Sequence, residues 1–213
     1  MTEDEAKAWL EQHFLVSRET WDKLEGYVQM LLSEMDQQNL IAESTRDHVW
    51  VRHIADSAQL LTLADSAGDG LWIDLGSGAG LPAIVIAILS DRPVLMIESR
   101  RKRIDFLNEV IDRVGIKNAQ VYGGRVESAS SRAAAVISAR AYAPLERLFP
   151  SALHLSDSRT LWVLPKGRNA QNELEAARSS WQGVFHVERS ITDPESAIII
   201  AQSVAPRGKK GRK

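Results

Sequence analysis

The stretch Leu71-Trp72-Ile73-Asp74-Leu75-Gly76-Ser77-Gly78-Ala79-Gly80-Leu81-Pro82 leaves this chain few ways to fold. Apolar residues lead into an aspartate, glycine then stands at every second position, and a proline opens a long apolar run. That order predicts a strand, a tight loop and the start of a helix. Glycine turns through conformations closed to other residues and lets a ligand approach the main chain. Amides at a helix start favour a polar or anionic group. Pro82 suits a first helical position, which needs no amide hydrogen.

The loop's details narrow its ligand. The dinucleotide fingerprint G-x-G-x-x-G is met by Gly76 and Gly78, but its third glycine would fall where Leu81 stands. Gly80 comes one residue early. The run D-x-G-x-G-x-G resembles motif I of the class I S-adenosylmethionine-dependent methyltransferases, in which the next strand ends in an acid that holds the ribose hydroxyls. Here the next apolar run, Val94 to Ile97, ends in Glu98. A ligand-free glycine turn and a nicotinamide or flavin site are the competing readings. The resemblance implies S-adenosyl-L-methionine as cofactor, with Asp74, Gly76, Gly78, Gly80 and Glu98 around it.

With 213 residues, 44% of them hydrophobic, the chain can bury one substantial core and a small extension. Its charge is uneven. The last eight residues hold five basic side chains and no acid, so with −2 overall the remainder carries −7. There is no cysteine, which excludes disulfides, thiolate metal sites and cysteine nucleophiles. Glu3, Asp4 and Glu5 offer no secretory signal. The longest apolar run, Leu81 to Leu89, is too short to span a bilayer. The expectation is a soluble, cytoplasmic protein with no membrane and no obligate protein partner.

Residues 1–66 read as a helical extension. Trp21, Leu24, Val28, Leu31, Leu32 and Met35 recur at helical spacing behind an N-cap at Ser17. A second helix is expected from a cap at Ser44 or Thr45 to about Ala67, with Val49, Ile54, Ala58 and Leu61 inward. From residue 67 to 205 strands and helices alternate, the pattern of a parallel α/β sheet. Strands are expected at 71–75, 94–98, 119–122, 134–138 and 160–164. Helices are expected at 81–90, 100–114, 144–155 and 169–181. The runs Val184 to Ser190 and Ala197 to Ser203 lie too close for a crossover helix, so they should pair antiparallel. The fold class is therefore α/β, a Rossmann-like, mostly parallel sheet closed by an antiparallel hairpin. Residues 206–213 read as a basic, disordered tail.

Taken in order, several short motifs resemble the bacterial ribosomal small-subunit RNA methyltransferase G family. They are Asn39-Leu40, Val51-Arg52-His53-Ile54-Ala55-Asp56-Ser57, Asp74 to Pro82, Arg103-Ile104-Asp105-Phe106-Leu107, Gly124-Arg125-Val126-Glu127, Val136 to Ala141 and Leu164-Pro165-Lys166-Gly167. The resemblance implies methyl transfer from S-adenosylmethionine to N7 of one guanine in the 530 loop of 16S rRNA. The partner would be that RNA, within the small subunit or its assembly precursor. It maps Gly76, Leu81, Val126, Glu127 and Arg140 onto cofactor contacts. Glu98 stands where many members have aspartate.

The residues themselves exclude some targets. Pyrimidine C5 methylation by the covalent route needs a cysteine nucleophile. The Asn/Asp-Pro-Pro-aromatic turn of exocyclic-amine methyltransferases is replaced by Ser138-Ala139-Arg140-Ala141-Tyr142. Guanine N7 has a free lone pair, so catalysis can rest on in-line positioning, in keeping with the lack of an acid–base dyad. No catalytic residue is singled out. Each remaining candidate has at least two readings. Glu98 binds ribose or caps its loop; Arg140 lies in the ligand crevice of an open α/β sheet or is an ordinary surface arginine. Lys166 meets an RNA phosphate or is solvated. His53 and Asp56, three apart on a helix, form a structural pair, take a catalytic role or shape the RNA or cofactor entrance; Arg52 and His53 are candidate RNA contacts. Arg100 and Arg101, opposing the dipole of their helix, contact phosphates or form a solvated face. In the tail, Arg207, Lys209 and Lys210 belong to a nucleic-acid arm or a solubility appendage. The five histidines show no metal-ligand spacing, so no metal is expected. A small-molecule methyltransferase and a non-catalytic ribosome-binding protein on the same fold remain alternatives.

Overall fold

A computed structural model describes residues 1–208. Seven strands form one sheet in the order β3-β2-β1-β4-β5-β7-β6. β1 (Trp72–Leu75), β2 (Val94–Glu98), β3 (Ala119–Gly123), β4 (Val136–Ser138) and β5 (Leu161–Lys166) run parallel. β7 (Ala197–Pro206) lies antiparallel between β5 and β6 (Trp181–Arg189). The expected mostly parallel sheet with a closing hairpin is the fold observed. Because β1 has β2 on one side and β4 on the other, the strand order reverses at β1. Ligands of such sheets bind beyond the carboxyl ends of the strands at that reversal.

The four β1 residues are all buried, as befits a central strand covered on both faces. On one face, α4 (Ala83–Leu89) and α5 (Arg101–Val114) share a core with α1 (Glu3–His13), α2 (Arg18–Glu34) and α3 (Asp56–Leu63). On the other, α6 (Leu145–Ala152), which contributes Phe149, and α7 (Ala170–Ala177) cover Trp162 and Ile137. The N-terminal extension is thus joined to the sheet by a common core. Among the described residues, no helix is long and apolar enough to cross a membrane.

Several expected boundaries move. Ser17 does cap α2, accepting from the Thr20 amide. Leu24, Tyr27, Val28 and Leu31 form its buried face, while Trp21, Leu32 and Met35 are half-buried. The segment after it is not one α-helix. It begins as a 3-10 turn at Glu43–His48, widens to a π-helical turn at Trp50–Ala55 and becomes α-helical only at Asp56. Neither Ser44 nor Thr45 caps it. The cap position is Ala42, and the Thr45 hydroxyl instead donates back to the Ala42 carbonyl at 2.7 Å. Pro82 occupies the cap position before α4 rather than its first turn. β7 continues through Pro206, and Arg207 donates to the carbonyls of Trp181 and Ser180, through its side chain and amide respectively. The sheet therefore retains the first two residues assigned to the tail. Lys209 and Lys210, with the rest of it, lie outside the described residues.

Candidate active site

At the end of β1, the loop takes the left-handed turns that its glycines were expected to supply, with φ of 65° at Gly76, 56° at Gly78 and 92° at Gly80. Their roles differ. A Cβ on Gly80 would sit 2.5 Å from Ile84 Cγ1 and 3.0 Å from Leu107 Cδ2. Gly80 thus lets the loop settle onto α4 and α5, its Cβ position facing the core. Leu81 is buried in the same core. At Gly76 a Cβ would meet the Tyr142 ring at 2.6 Å, so this glycine faces the cleft. Tyr27 reaches across from α2, and its hydroxyl donates to the Ala79 carbonyl at 2.9 Å. The extension thereby pins the loop, a contact missed from sequence although Tyr27 shares the helical face of Leu24 and Leu31.

The loop amides are not the anion cradle expected of them. Gly76 and Ser77 donate to the Ile97 carbonyl, Gly80 donates to Ser77, and Gly78 donates to Glu98 Oε2 at 3.0 Å. A pyrophosphate would need such amides free. Two acids stand at the loop instead. Asp74 is wholly buried; Oδ1 accepts from the Ser138 hydroxyl at 2.6 Å, and Oδ2 has no partner among the described residues. Burial pushes its carboxyl up to about 6, against the Ser138 hydrogen bond, with the Glu98 charge adding to the rise. This environment disfavours an anionic ligand and suits one carrying positive charge.

Glu98 caps its loop, one of its two readings. Oε1 accepts from the amides of Ser99 and Arg100, which caps the turn after β2. Oε2 takes the Gly78 amide and keeps capacity for a second donor such as a ribose hydroxyl. Its side chain lines a cleft of about 290 Å³ with Gly76, Val126, Glu127 and Tyr142. The structure therefore brings four segments distant in sequence to one cleft.

A second cavity, of about 460 Å³, gathers Arg52, His53, Arg140 and Lys166. Arg140 Nη2 donates to His53 Nδ1 at 2.6 Å, and His53 Nε2 lies 2.7 Å from Thr45 Oγ1. A guanidinium can only donate, so Nδ1 is the acceptor and the ring proton sits on Nε2. The Thr45 hydroxyl receives that proton's hydrogen bond and passes its own to Ala42. Burial first, then the charges of Arg140 and Arg52, pull His53 down to about 3, so its ring is neutral. Arg140 Nη1 stands 3.6 Å from Asp56 Oδ2, an ion pair too long for a hydrogen bond. Arg52 pairs with Asp193 at 2.9 Å and ties the π-helical turn to the β6–β7 loop. Lys166 Nζ donates to Glu173 Oε1 at 2.7 Å and to the Ala143 carbonyl at 3.0 Å.

The segment 140–143 contributes to both spaces. Arg140, Ala141 and Ala143 line the larger one and Tyr142 the smaller, with Ala141 at φ 52°. Arg100 and Arg101 lie apart, with Gln38, Asn39, Lys102 and Arg103 around an exposed depression of about 430 Å³. Arg101 pairs with Asp105, and Arg103 approaches Glu98 and Asn39. Among the described residues, no group of three His, Asp or Glu side chains could hold a metal ion.

The family of rRNA small subunit methyltransferase G matches residues 20–196. The chain belongs to this family. A ribosomal RNA small subunit methyltransferase G from Rhizorhabdus wittichii is 53% identical over 217 residues, covering 100% of this chain and 99% of the relative. The protein of that name from Sphingopyxis alaskensis is 50% identical over 208 residues, covering 97% and 89%. Among solved structures, the O-methyltransferase TomG from Streptomyces achromogenes in complex with SAM superimposes with a TM-score of 0.59. It is 13% identical, over 94% of this chain and 96% of that one, a likeness of fold alone. The protein is a methyltransferase of the S-adenosylmethionine-dependent fold class.

Proposed function

We propose that this enzyme transfers a methyl group from S-adenosylmethionine to N7 of a guanine in the 530 loop of 16S rRNA. The observation that carries the reading is the pairing of two spaces across the segment 140–143. One is a glycine-loop cleft with acids in place of free amides; the other is a cavity holding Arg140 beside a neutral histidine.

Gly76, Glu98, Val126 and Glu127 would hold the cofactor, Glu98 Oε2 accepting from ribose, and Asp74 would add negative charge behind the loop. Asp74, Gly78, Gly80 and Leu81 shape that loop. S-adenosylmethionine supplies an electrophilic methyl on a sulfonium. Guanine N7 carries a free lone pair, so the protein has no proton to remove before attack, and His53 is suited to that chemistry. With Nδ1 held by Arg140 and Nε2–H given to Thr45, it serves as scaffold. The protein's task is then alignment, which keeps nitrogen, methyl carbon and sulfur in line and limits the entropy lost at reaction. Arg140 and Arg52 border the cavity as cations for the RNA. Arg100 and Arg101 offer phosphate contacts at the depression beside α5, with the basic residues from Arg207 onward as a second contact.

The test uses small subunits that lack native modification and a radiolabelled methyl donor. N7-methylguanine carries a fixed positive charge, so reduction followed by aniline cuts the RNA there. Cleavage at a 530-loop guanine that needs both enzyme and donor is the expected result. Label in a small metabolite or at another nucleotide would refute the substrate.

A further inference from the structure

Lys166 and Glu173 form a pair whose unused bonding positions match one base. Lys166 ends β5 and Glu173 lies on α7, and both line the cavity that holds Arg140. A lysine ammonium has three donors. One goes to Glu173 Oε1 and one to the Ala143 carbonyl, which leaves one. Glu173 Oε1 also takes the Leu145 amide at 2.6 Å, while Oε2 has no partner among the described residues. The pair therefore presents one free donor next to one free acceptor. Its side chains are 12% and 24% exposed, so water competes weakly for them.

Guanine carries the complement on neighbouring atoms, with O6 as acceptor and N1–H as donor. Adenine reverses both, offering an amino donor at C6 and a bare N1. Resting on the guanine reading given above, we propose that the Lys166–Glu173 pair is the base-specificity element of the cavity, Lys166 Nζ donating to O6 and Glu173 Oε2 accepting from N1–H. This grip leaves N7 uncovered. It also acts on the reaction. As N7 takes the methyl, the purine gains positive charge and its N1–H becomes a stronger donor. The bond to Glu173 thus tightens in the transition state, and such a bond raises kcat rather than merely lowering KM.

The test measures kcat and KM on unmodified small subunits reconstituted with guanine, inosine or 2-aminopurine at the target position. Inosine keeps O6 and N1–H, and the wild-type enzyme should use it within about threefold of guanine, because one free oxygen reads N1–H alone. 2-Aminopurine lacks both groups and should fall by on the order of 100-fold. Glu173→Gln places an amide donor against N1–H. It should lower guanine turnover by on the order of 100-fold, mainly in kcat, and shrink the guanine to 2-aminopurine ratio to within about tenfold. If Glu173 only clamps α7 to the Ala143–Leu145 turn, the variant will slow all three substrates by one factor and the ratio will stand, which overturns the proposal. Equal wild-type rates on guanine and 2-aminopurine overturn it without any variant. A wild-type enzyme that leaves guanine unlabelled removes the reaction itself and this role with it. A labelled guanine with an unchanged ratio removes only the role of the pair.

Discussion

The cleft against the glycine loop is lined by short contiguous runs at strand ends: Gly76 after β1, Ile97 to Ser99 at β2, Gly124 to Glu127 after β3 and Tyr142 after β4. The neighbouring cavity takes its walls from the π-helical turn, the ends of β4 and β5, α7 and the β6–β7 loop. The first is shaped by main chain and caps. In the second, side chains fix one another, as Thr45 fixes His53 and His53 fixes Arg140. A site built from backbone tolerates changes at most side chains but not at its turns. One built from side chains should respond to loss of a single acceptor while the fold persists.

The glycine side offers the largest effect with which to break that contrast. Gly80→Ala forces a methyl onto Ile84 and Leu107 at a backbone of φ 92°. Left-handed strain and overpacking together should lower stability by about 4 kcal/mol. Gly76→Ala carries left-handed strain at φ 65° and meets the Tyr142 ring but no core side chain, so it should cost less stability than Gly80→Ala, about 2 kcal/mol, while affinity for S-adenosylhomocysteine falls. Urea unfolding and calorimetric titration separate the two. A Gly80→Ala protein as stable as wild type would mean the loop is not seated on α4 and α5 as described.

Asp74 sharpens the comparison, because the backbone-built cleft has an unpartnered carboxyl oxygen beneath it. Its folded value of about 6 exceeds the ordinary 3.8, so between those values the folded protein binds more protons than the unfolded chain. Asp74 therefore supports stability at low pH, and that support is lost as pH rises through about 6. Asp74→Asn stays neutral, and its stability relative to wild type should rise by up to about 3 kcal/mol between pH 4 and 7. Unfolding curves across that range measure the gap. A gap independent of pH would show that the carboxyl ionises as readily folded as unfolded.

The contrast also decides what could be read without coordinates. Glu98 and Arg140 could be placed at strand ends because a parallel sheet gathers those ends at one edge, whereas Val126 came from the family resemblance. Glu98 and Val126 line the glycine-loop cleft and Arg140 the neighbouring cavity. Side-chain partners could not be placed. Glu173 is seven residues beyond Lys166, a spacing that acquires meaning only when β5 turns back into α7. Thr45 resembles a helix cap, and only the π-helical turn, which no periodicity foretold, carries His53 back to it. That Gly80 seats the loop on the core was not legible, because its neighbour in space, Leu107, lies 27 residues away.

His53 gives the smallest and most specific effect, and it tests the side-chain-built cavity directly. Its neutral ring is an acceptor for Arg140 and a donor to Thr45, with no free nitrogen for a substrate proton. His53→Ala leaves the guanidinium without that acceptor and should reduce kcat by some tens of fold, about 2 kcal/mol, with S-adenosylhomocysteine affinity unchanged. Asn can return an oxygen to the place of Nδ1, so His53→Asn should recover most of the loss. The pH profile distinguishes a positioning residue from a general base. Held near 3, His53 adds no inflection in kcat around pH 6.5, and the profiles of wild type and His53→Asn should be parallel from pH 5.5 to 8. An inflection near 6.5 in wild type that disappears in His53→Asn would show a titrating imidazole in the reaction. Arg140 would then be its modulator, and not the group it holds in place.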